Sequence, residues 1–124
     1  WSGLMKTIIC DIDGTIFNYP PRGSAQVVNE DEELLPGVLD KFNRWEAAGH
    51  RIILITGRRE SLRDWTEAVL VDNGIPFDQL IMGCPDEGRV LINDKNFAGK
   101  IKAHAVNLER DTGMEQYDWK EVGL

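Results

Sequence analysis

Two hydrophobic rhythms alternate along this chain, one of strand length and one of helical spacing. Lys6 to Asp11 (Lys-Thr-Ile-Ile-Cys-Asp) is a short apolar run ending in polar residues, which predicts a buried strand. From Gly14 to Glu33 the pattern is irregular, with Pro20-Pro21, Gly23 and an acidic run, and predicts a loop or flap. Pro36 suits a first helical position, and Val38, Leu39, Phe42 and Trp45 then fall on one face before Gly49 supplies a stop. Arg51 to Thr56 is the clearest buried strand. A second helix is expected from Glu60 to Asp72, with Leu62, Trp65 and Val69 facing the core and Asn73-Gly74 ending it. Gln79 to Met82 and Arg89 to Asn93 read as two more strands, and Ala103 to Leu108 as a fifth strand or a helix. Strands alternating with helices imply one α/β domain over residues 1–124, with a parallel sheet and helices on both faces.

Composition narrows the partners. The chain is 42% hydrophobic and 28% charged, enough apolar material for one core and ordinary for a globular protein. Its apolar runs are strand-sized, so no membrane span is expected. Met5 reads as a natural start, with Trp1 to Leu4 as an added leader, and no basic region followed by an apolar stretch suggests secretion. The net charge of −7 lacks the basic surplus of a polyanion binder, which makes long nucleic acid the less favoured partner. A small phosphorylated ligand needs only a local cation cluster or one metal ion. Cys10 and Cys84 have no zinc or redox spacing and read as buried thiols of a cytoplasmic protein.

In a parallel sheet, ligands bind beyond the carboxyl ends of the strands. Three polar clusters fall there: Asp11-Ile12-Asp13, Thr56-Gly57-Arg58 and Asn93-Asp94-Lys95. Asp11 and Asp13 are two apart, so in an extended segment their carboxylates share a side. Two such groups repel unless a cation intervenes, and Asp94 would add a third carboxylate. An all-oxygen set of this kind suits Mg²⁺. Asp11 is then the candidate nucleophile and Asp13 the candidate acid and base. Gly14 allows a tight turn whose N–H groups face a phosphate, and Thr56 with Gly57 offers a hydroxyl and a further N–H. The cation that offsets phosphoryl charge is to be sought among Arg58, Arg89 and Lys95. Asp13-Gly14 alone would be an ordinary turn dipeptide; the convergence of three clusters is what favours catalysis.

Asp11-Ile12-Asp13-Gly14-Thr15 resembles the first motif of the haloacid-dehalogenase-like (HAD) phosphohydrolases. Ile53 to Arg58 looks like their second motif and Val90 to Asp94 like their fourth. The resemblance implies a Rossmann-like three-layer sandwich and an aspartyl-phosphate intermediate on Asp11. Asp13 would serve as acid and then base. Mg²⁺ would be held by the Asp11 carboxylate, the Asp13 backbone carbonyl and Asp94. Phosphate would be bound by Gly14, Thr15, Gly57 and Arg58, with Thr56 and Lys95 in the catalytic set. Two departures stand out: Asn93 replaces a usual acid, and the third-motif cation is ambiguous, with Lys95 preferred to Arg89. The gaps between motifs are too short for a cap domain.

Two closer resemblances compete. One, carried by the compact layout and the Leu91-Ile92-Asn93-Asp94-Lys95 run, is to small cap-less phosphatases associated with surface-polysaccharide and sugar-phosphate metabolism, and makes a small sugar phosphate or nucleotide the first expectation. The other, carried by Thr56 to Ser61, Arg63 to Glu67 and Gly74 to Leu80, is to the 3′-phosphatase domain of polynucleotide kinases, where the arginine matching Arg58 is functional. A metal- or phosphoryl-binding module without turnover is the non-enzymatic alternative. Tyr19 and Arg22 are candidate substrate contacts, and a homo-oligomer covering the site is compatible with the pattern. Arg59 reads as a helix flank, Trp45 and Trp65 as core, His50 as a loop residue, His104 as structural, and Glu30 to Glu33 as a solvated helix entrance.

Overall fold

The apolar run that opens the chain forms strand β1, Thr7–Asp11, in the computed structural model, which describes residues 5–20 and 32–124. Helix α1 (Val38–Ala47), strand β2 (Arg51–Ile55), a 3-10 turn (Glu60–Leu62) leading into helix α2 (Arg63–Asp72), and strand β3 (Gln79–Ile81) follow. A second 3-10 turn, Trp119–Val122, lies near the C-terminal end. The strands are parallel and ordered β1-β2-β3, with one described α-helix in each connection. The α/β architecture with a parallel sheet is as expected, but α1 and α2 pack into one cluster with Cys10, Leu54 and Leu80, on one face of the sheet instead of both.

Register explains which side chains make the core. Cys10 lies opposite Leu54, and Leu54 opposite Leu80, so three buried side chains form a row on one sheet face. Val38, Phe42 and Trp45 of α1 and Leu70 of α2 belong to the same cluster. Ile9 and Ile81, of opposite parity, remain exposed. A chain that steps in one direction from strand to strand with right-handed crossovers collects its helices on one face, which accounts for this asymmetry. The Asp11↔Ile55 pairing also brings the carboxyl ends of β1 and β2 level.

The segment after residue 110 closes against the start of α1. The Met114 N–H donates to the Pro36 carbonyl at 2.9 Å, and Trp119 Nε1 donates to the Met114 carbonyl at 2.8 Å. The Trp119 ring meets Trp45 edge-on, with centroids 5.2 Å apart. Gly113 is required there: its φ is +86°, and a Cβ would fall 2.3 Å from the Pro36 carbonyl oxygen.

Several expectations are corrected. Arg89 to Asn93 is not a strand; Val90 and Ile92 are each 88% exposed, and neither sheet edge pairs with the run. Three apolar residues carry strand propensity only where a neighbouring strand receives them. Ala103 to Leu108 forms neither strand nor helix, and His104 is exposed rather than structural. In α2 the buried positions are Thr66 and Leu70, one residue on from the expected stripe, while Trp65 is 44% exposed. Leu39 is also exposed. Both cysteines are free thiols, Cys10 buried and Cys84 only half-buried; burial pushes the Cys10 thiol far up, leaving it unreactive. His50 is a loop residue as expected, its Nδ1 accepting the Lys6 N–H at 2.9 Å.

These placements separate two tryptophans that look alike in sequence. Trp45→Ala removes a core ring and is expected to cost about 3–5 kcal/mol. Trp65→Ala removes a ring that is already 44% exposed and is expected to cost about 1 kcal/mol, the middle of the range for point substitutions. Urea denaturation of the two variants checks the difference.

Candidate functional site

Asp11 is the last residue of β1, and the chain turns sharply after it. The Ile12 carbonyl accepts the N–H groups of Thr15, Ile16 and Phe17 at 3.2, 2.8 and 3.2 Å, winding the loop around a single acceptor. Gly14 makes this possible with φ +85°. Ile12, Ile16 and Phe17 are all buried in the core, so the loop is anchored from below while Asp11 and Thr15 stay half-exposed.

Asp13 is set deeper than Asp11. It is 5% exposed, and both of its carboxyl oxygens accept from Arg58: Nη2 to Oδ1 at 2.7 Å and Nε to Oδ2 at 3.1 Å. The fork is bidentate, the strongest geometry for this pair. Arg58 Nη1 also donates to Thr66 Oγ1 at 3.1 Å, and Nη2 reaches Glu32 Oε1. The Thr56 hydroxyl accepts the Arg58 backbone N–H at 3.1 Å and lies 3.5 Å from Asp13 Oδ2. Burial opposes the guanidinium charge, but Asp13 and Glu32 more than offset it and hold Arg58 above its ordinary value. Glu32 is pushed up by burial, a shift that Arg58 partly offsets and the charge of Asp13 reinforces. Glu32 is thus no solvated entrance residue; Glu33 beside it is exposed, and Glu30 and Arg22 lie outside the described residues.

An open pocket of about 190 Å³ lies over the loop, lined by Asp11, Asp13, Gly14, Thr15 and Tyr19 together with Asp86, Arg89, Leu108 and Arg110. Burial raises the Asp11 carboxyl above its usual range; Arg89 and the Ile12 N–H work against this, and the charges of Asp86 and Asp13 add to it. Arg89 Nη2 lies 3.2 Å from Asp86 Oδ1 and 3.7 Å from Asp11 Oδ1. Thr15 Oγ1 is 3.5 Å from Asp11 Oδ2. Gly57 makes room for the Asp86 carboxylate, whose atoms would sit within 3.0 Å of a Cβ there.

The structure therefore brings together Asp11, Asp13, Gly14, Thr15 and Tyr19, and sets Thr56 and Arg58 behind Asp13 instead of in the pocket wall. It does not bring Asp94 or Lys95 to the site. Asp94 is 80% exposed and pairs with Lys102, and Lys95 is exposed outside the pocket lining. Both follow the Val90–Ile92 run, and without a strand there nothing carries them to the rim. Arg89, the less favoured cation, is the one beside Asp11. Among the described residues no three acidic, histidine or cysteine side chains converge closely enough to hold a metal ion. The Asp11 and Asp13 pair still fits Mg²⁺ of the kind held by one or two carboxylates and completed by water and substrate phosphate.

Asp86, Leu108, Arg110 and Asp111 were not singled out in the sequence. Asp111 donates its N–H to the Gly14 carbonyl at 2.9 Å and accepts the Tyr19 N–H on Oδ1 at 2.7 Å, with its own φ at +65°. The only local signal was the polar run Glu109-Arg110-Asp111-Thr112-Gly113 after an apolar-polar stretch. The Arg58 pairing yields a prediction. Arg58→Ala leaves Asp13 and Glu32 buried without their counter-charge and is expected to lower stability by about 3–5 kcal/mol in urea denaturation. Arg58→Lys keeps the charge and loses the fork, and is expected to retain only part of that stability.

The model of the polynucleotide kinase PNKP phosphatase domain, a HAD family, matches residues 5–96. The matched stretch contains all three strands, both α-helices and the loops that carry Asp11, Asp13 and Arg58. Among solved structures, a chain of the "Structure of Pnkp1/Rnl/Hen1 complex" is 27% identical with a TM-score of 0.57, the match covering 80% of this chain and 33% of that one. A chain of the "Structure of the Pnkp1/Rnl/Hen1 RNA repair complex" is likewise 27% identical, with a TM-score of 0.54 over 71% of this chain and 29% of that one. This chain thus spans about a third of the length of those relatives. No curated protein matches it. With the family match running through the whole sheet and the loop of Asp11, this chain belongs to the HAD phosphatase domains of the polynucleotide kinase PNKP type.

Proposed function

We propose that the chain hydrolyses a phosphomonoester at a 3′-phosphorylated polynucleotide end, with Asp11 as nucleophile. The observation that carries the substrate is the PNKP phosphatase-domain match over residues 5–96; the chemistry rests on Asp11 facing an open pocket with Asp13 in the same loop. An Asp11 oxygen attacks phosphorus as the ester P–O bond breaks, and Asp13 delivers the proton that the leaving oxygen needs. Water then attacks the aspartyl phosphate, and Asp13 takes its proton, releasing inorganic phosphate. Both Asp13 oxygens accept from Arg58, so turning toward the substrate requires one of these hydrogen bonds to be given up. Asp11 and the Asp13 backbone carbonyl would hold Mg²⁺, which would supply charge compensation for the phosphoryl oxygens. Gly14, Thr15 and Gly57 bind phosphate through backbone and hydroxyl groups, while Asp94 and Lys95, lying away from the pocket, take no part in this reading.

A small phosphorylated metabolite is the second reading. It is favoured by the charge of −7 and by a pocket whose wall carries three carboxylates, both unlike a track for a polyanion. A 3′ end needs only its terminal phosphate to enter, and this keeps the first reading ahead. No described helix is long and apolar enough to cross a membrane.

Release of phosphate from p-nitrophenyl phosphate is expected with Mg²⁺ and lost with EDTA, and Asp11→Asn is expected to reduce it by about a thousandfold or more. Equal rates for wild type and Asp11→Asn reject the enzyme reading and leave the non-catalytic module. Comparison of a 3′-phosphorylated oligonucleotide with a sugar-phosphate and nucleotide panel is expected to give the highest kcat/KM for the oligonucleotide. A higher value for any panel member selects the metabolite.

A further inference from the structure

We infer that Arg110, seated on the ring of Tyr19, is a substrate-binding residue that donates to the phosphoryl oxygens of the group brought to Asp11; this rests on the phosphohydrolase reading above. The family match ends at residue 96, so the likeness assigns Arg110 nothing.

The case begins with its placement. The Arg110 stem lies on the first-motif turn: Cγ is 3.1 Å from where a Gly14 Cβ would stand, which only glycine at φ +85° leaves open. Its guanidinium carbon sits 3.9 Å from the Tyr19 ring centroid. A planar guanidinium over a ring face keeps its N–H donors along the edge, free for a ligand. Asp111, the next residue, fixes this arrangement through its hydrogen bonds to the Gly14 carbonyl and the Tyr19 N–H. Arg110 is therefore held in register with the Asp11 loop by the two hydrogen bonds of its neighbour Asp111, one through the backbone and one through the carboxylate, and by an aromatic platform.

Charge supplies the second half. The pocket wall carries the carboxylates of Asp11, Asp13 and Asp86, and an arriving phosphomonoester is itself an anion. Arg58 is committed to Asp13 and Glu32, and Arg89 lies between Asp86 and Asp11. Among the described residues Arg110 pairs with no carboxylate, so of the pocket's guanidiniums it has the charge least offset by its surroundings. A guanidinium offers paired N–H donors, the geometry that phosphate oxygens accept.

The test is calorimetric titration of the full chain with inorganic phosphate in the presence of Mg²⁺, beside turnover of p-nitrophenyl phosphate. Arg110→Gln keeps the stem on Gly14 and removes the charge. It is expected to weaken phosphate binding about tenfold or more and to lower kcat/KM by about a hundredfold, the scale seen when one charge-stabilising donor is lost. Arg110→Lys is expected to lose several-fold, because it keeps the charge without the fork or the ring contact. Tyr19→Leu removes the platform alone and is expected to weaken phosphate binding about threefold. Phosphate binding by Arg110→Gln within twofold of wild type overturns the proposal. If that variant does not fold, wild-type binding by both Arg110→Lys and Tyr19→Leu overturns it. A wild type that binds no phosphate overturns it as well. Arg110-dependent phosphate binding without any turnover supports the role of Arg110 and rejects the hydrolase reading. Turnover and binding indifferent to Arg110→Gln do the reverse.

Discussion

The buried pairing of Arg58 with Asp13 is the constraint on which the site depends. Arg58 follows the end of β2 and Asp13 the end of β1, and the parallel register sets those ends level. A pair this deep is tolerated because its hydrogen-bonding capacity is spent on fixed partners: Thr66 and Glu32 take what Asp13 leaves of the guanidinium. The pairing fixes the direction of the whole turn. With Asp13 tied from behind to Arg58 and Ile12 buried in the core, Asp11 and Gly14 line the pocket beside it. A slip of one residue between β1 and β2 would turn Cys10 and Leu54 out of the core and part the two charges together.

Much of this was legible in the sequence where function coincides with a strand end. β1 and β2 carry strong apolar runs, and the polar residues that follow them lie where the sheet puts its rim. Asp11, Asp13 and Arg58 were found on that logic. Helical faces were less legible. One added residue of phase in α2 exchanges Trp65 for Thr66, and hydropathy alone favours the larger ring over the threonine that Arg58 needs. Asp94 shows the opposite failure. Its motif is readable as letters, but its place in space depends on the Val90–Ile92 run finding a sheet edge, and no local pattern decides that. Arg110 and Asp111 were illegible because their meaning is entirely tertiary: they matter through the loop they touch, ninety-odd positions away in sequence.

The electrostatic character of the pocket reconciles an acidic chain with a phosphorylated substrate. Net charge speaks to long-range steering and little to what happens at contact distance. The wall carries carboxylates, so attraction for an anion has to come from the guanidiniums that line the pocket, each held by a different device: a bridging position for Arg89 and a ring for Arg110. The same composition would serve poorly for holding a long polyanion, whereas it serves well for admitting a single phosphate.

The Asp111 clasp on the Asp11 loop spans 92 residues between Tyr19 and its acceptor. Closing so long a span draws on chain entropy that neighbouring strands never have to meet. During synthesis, a nascent chain that has emerged only as far as β3 already contains every described strand of the sheet, yet the clasp that shapes the Asp11 turn is still inside the ribosome. The sheet and the site are thus completed at different moments in the life of the chain.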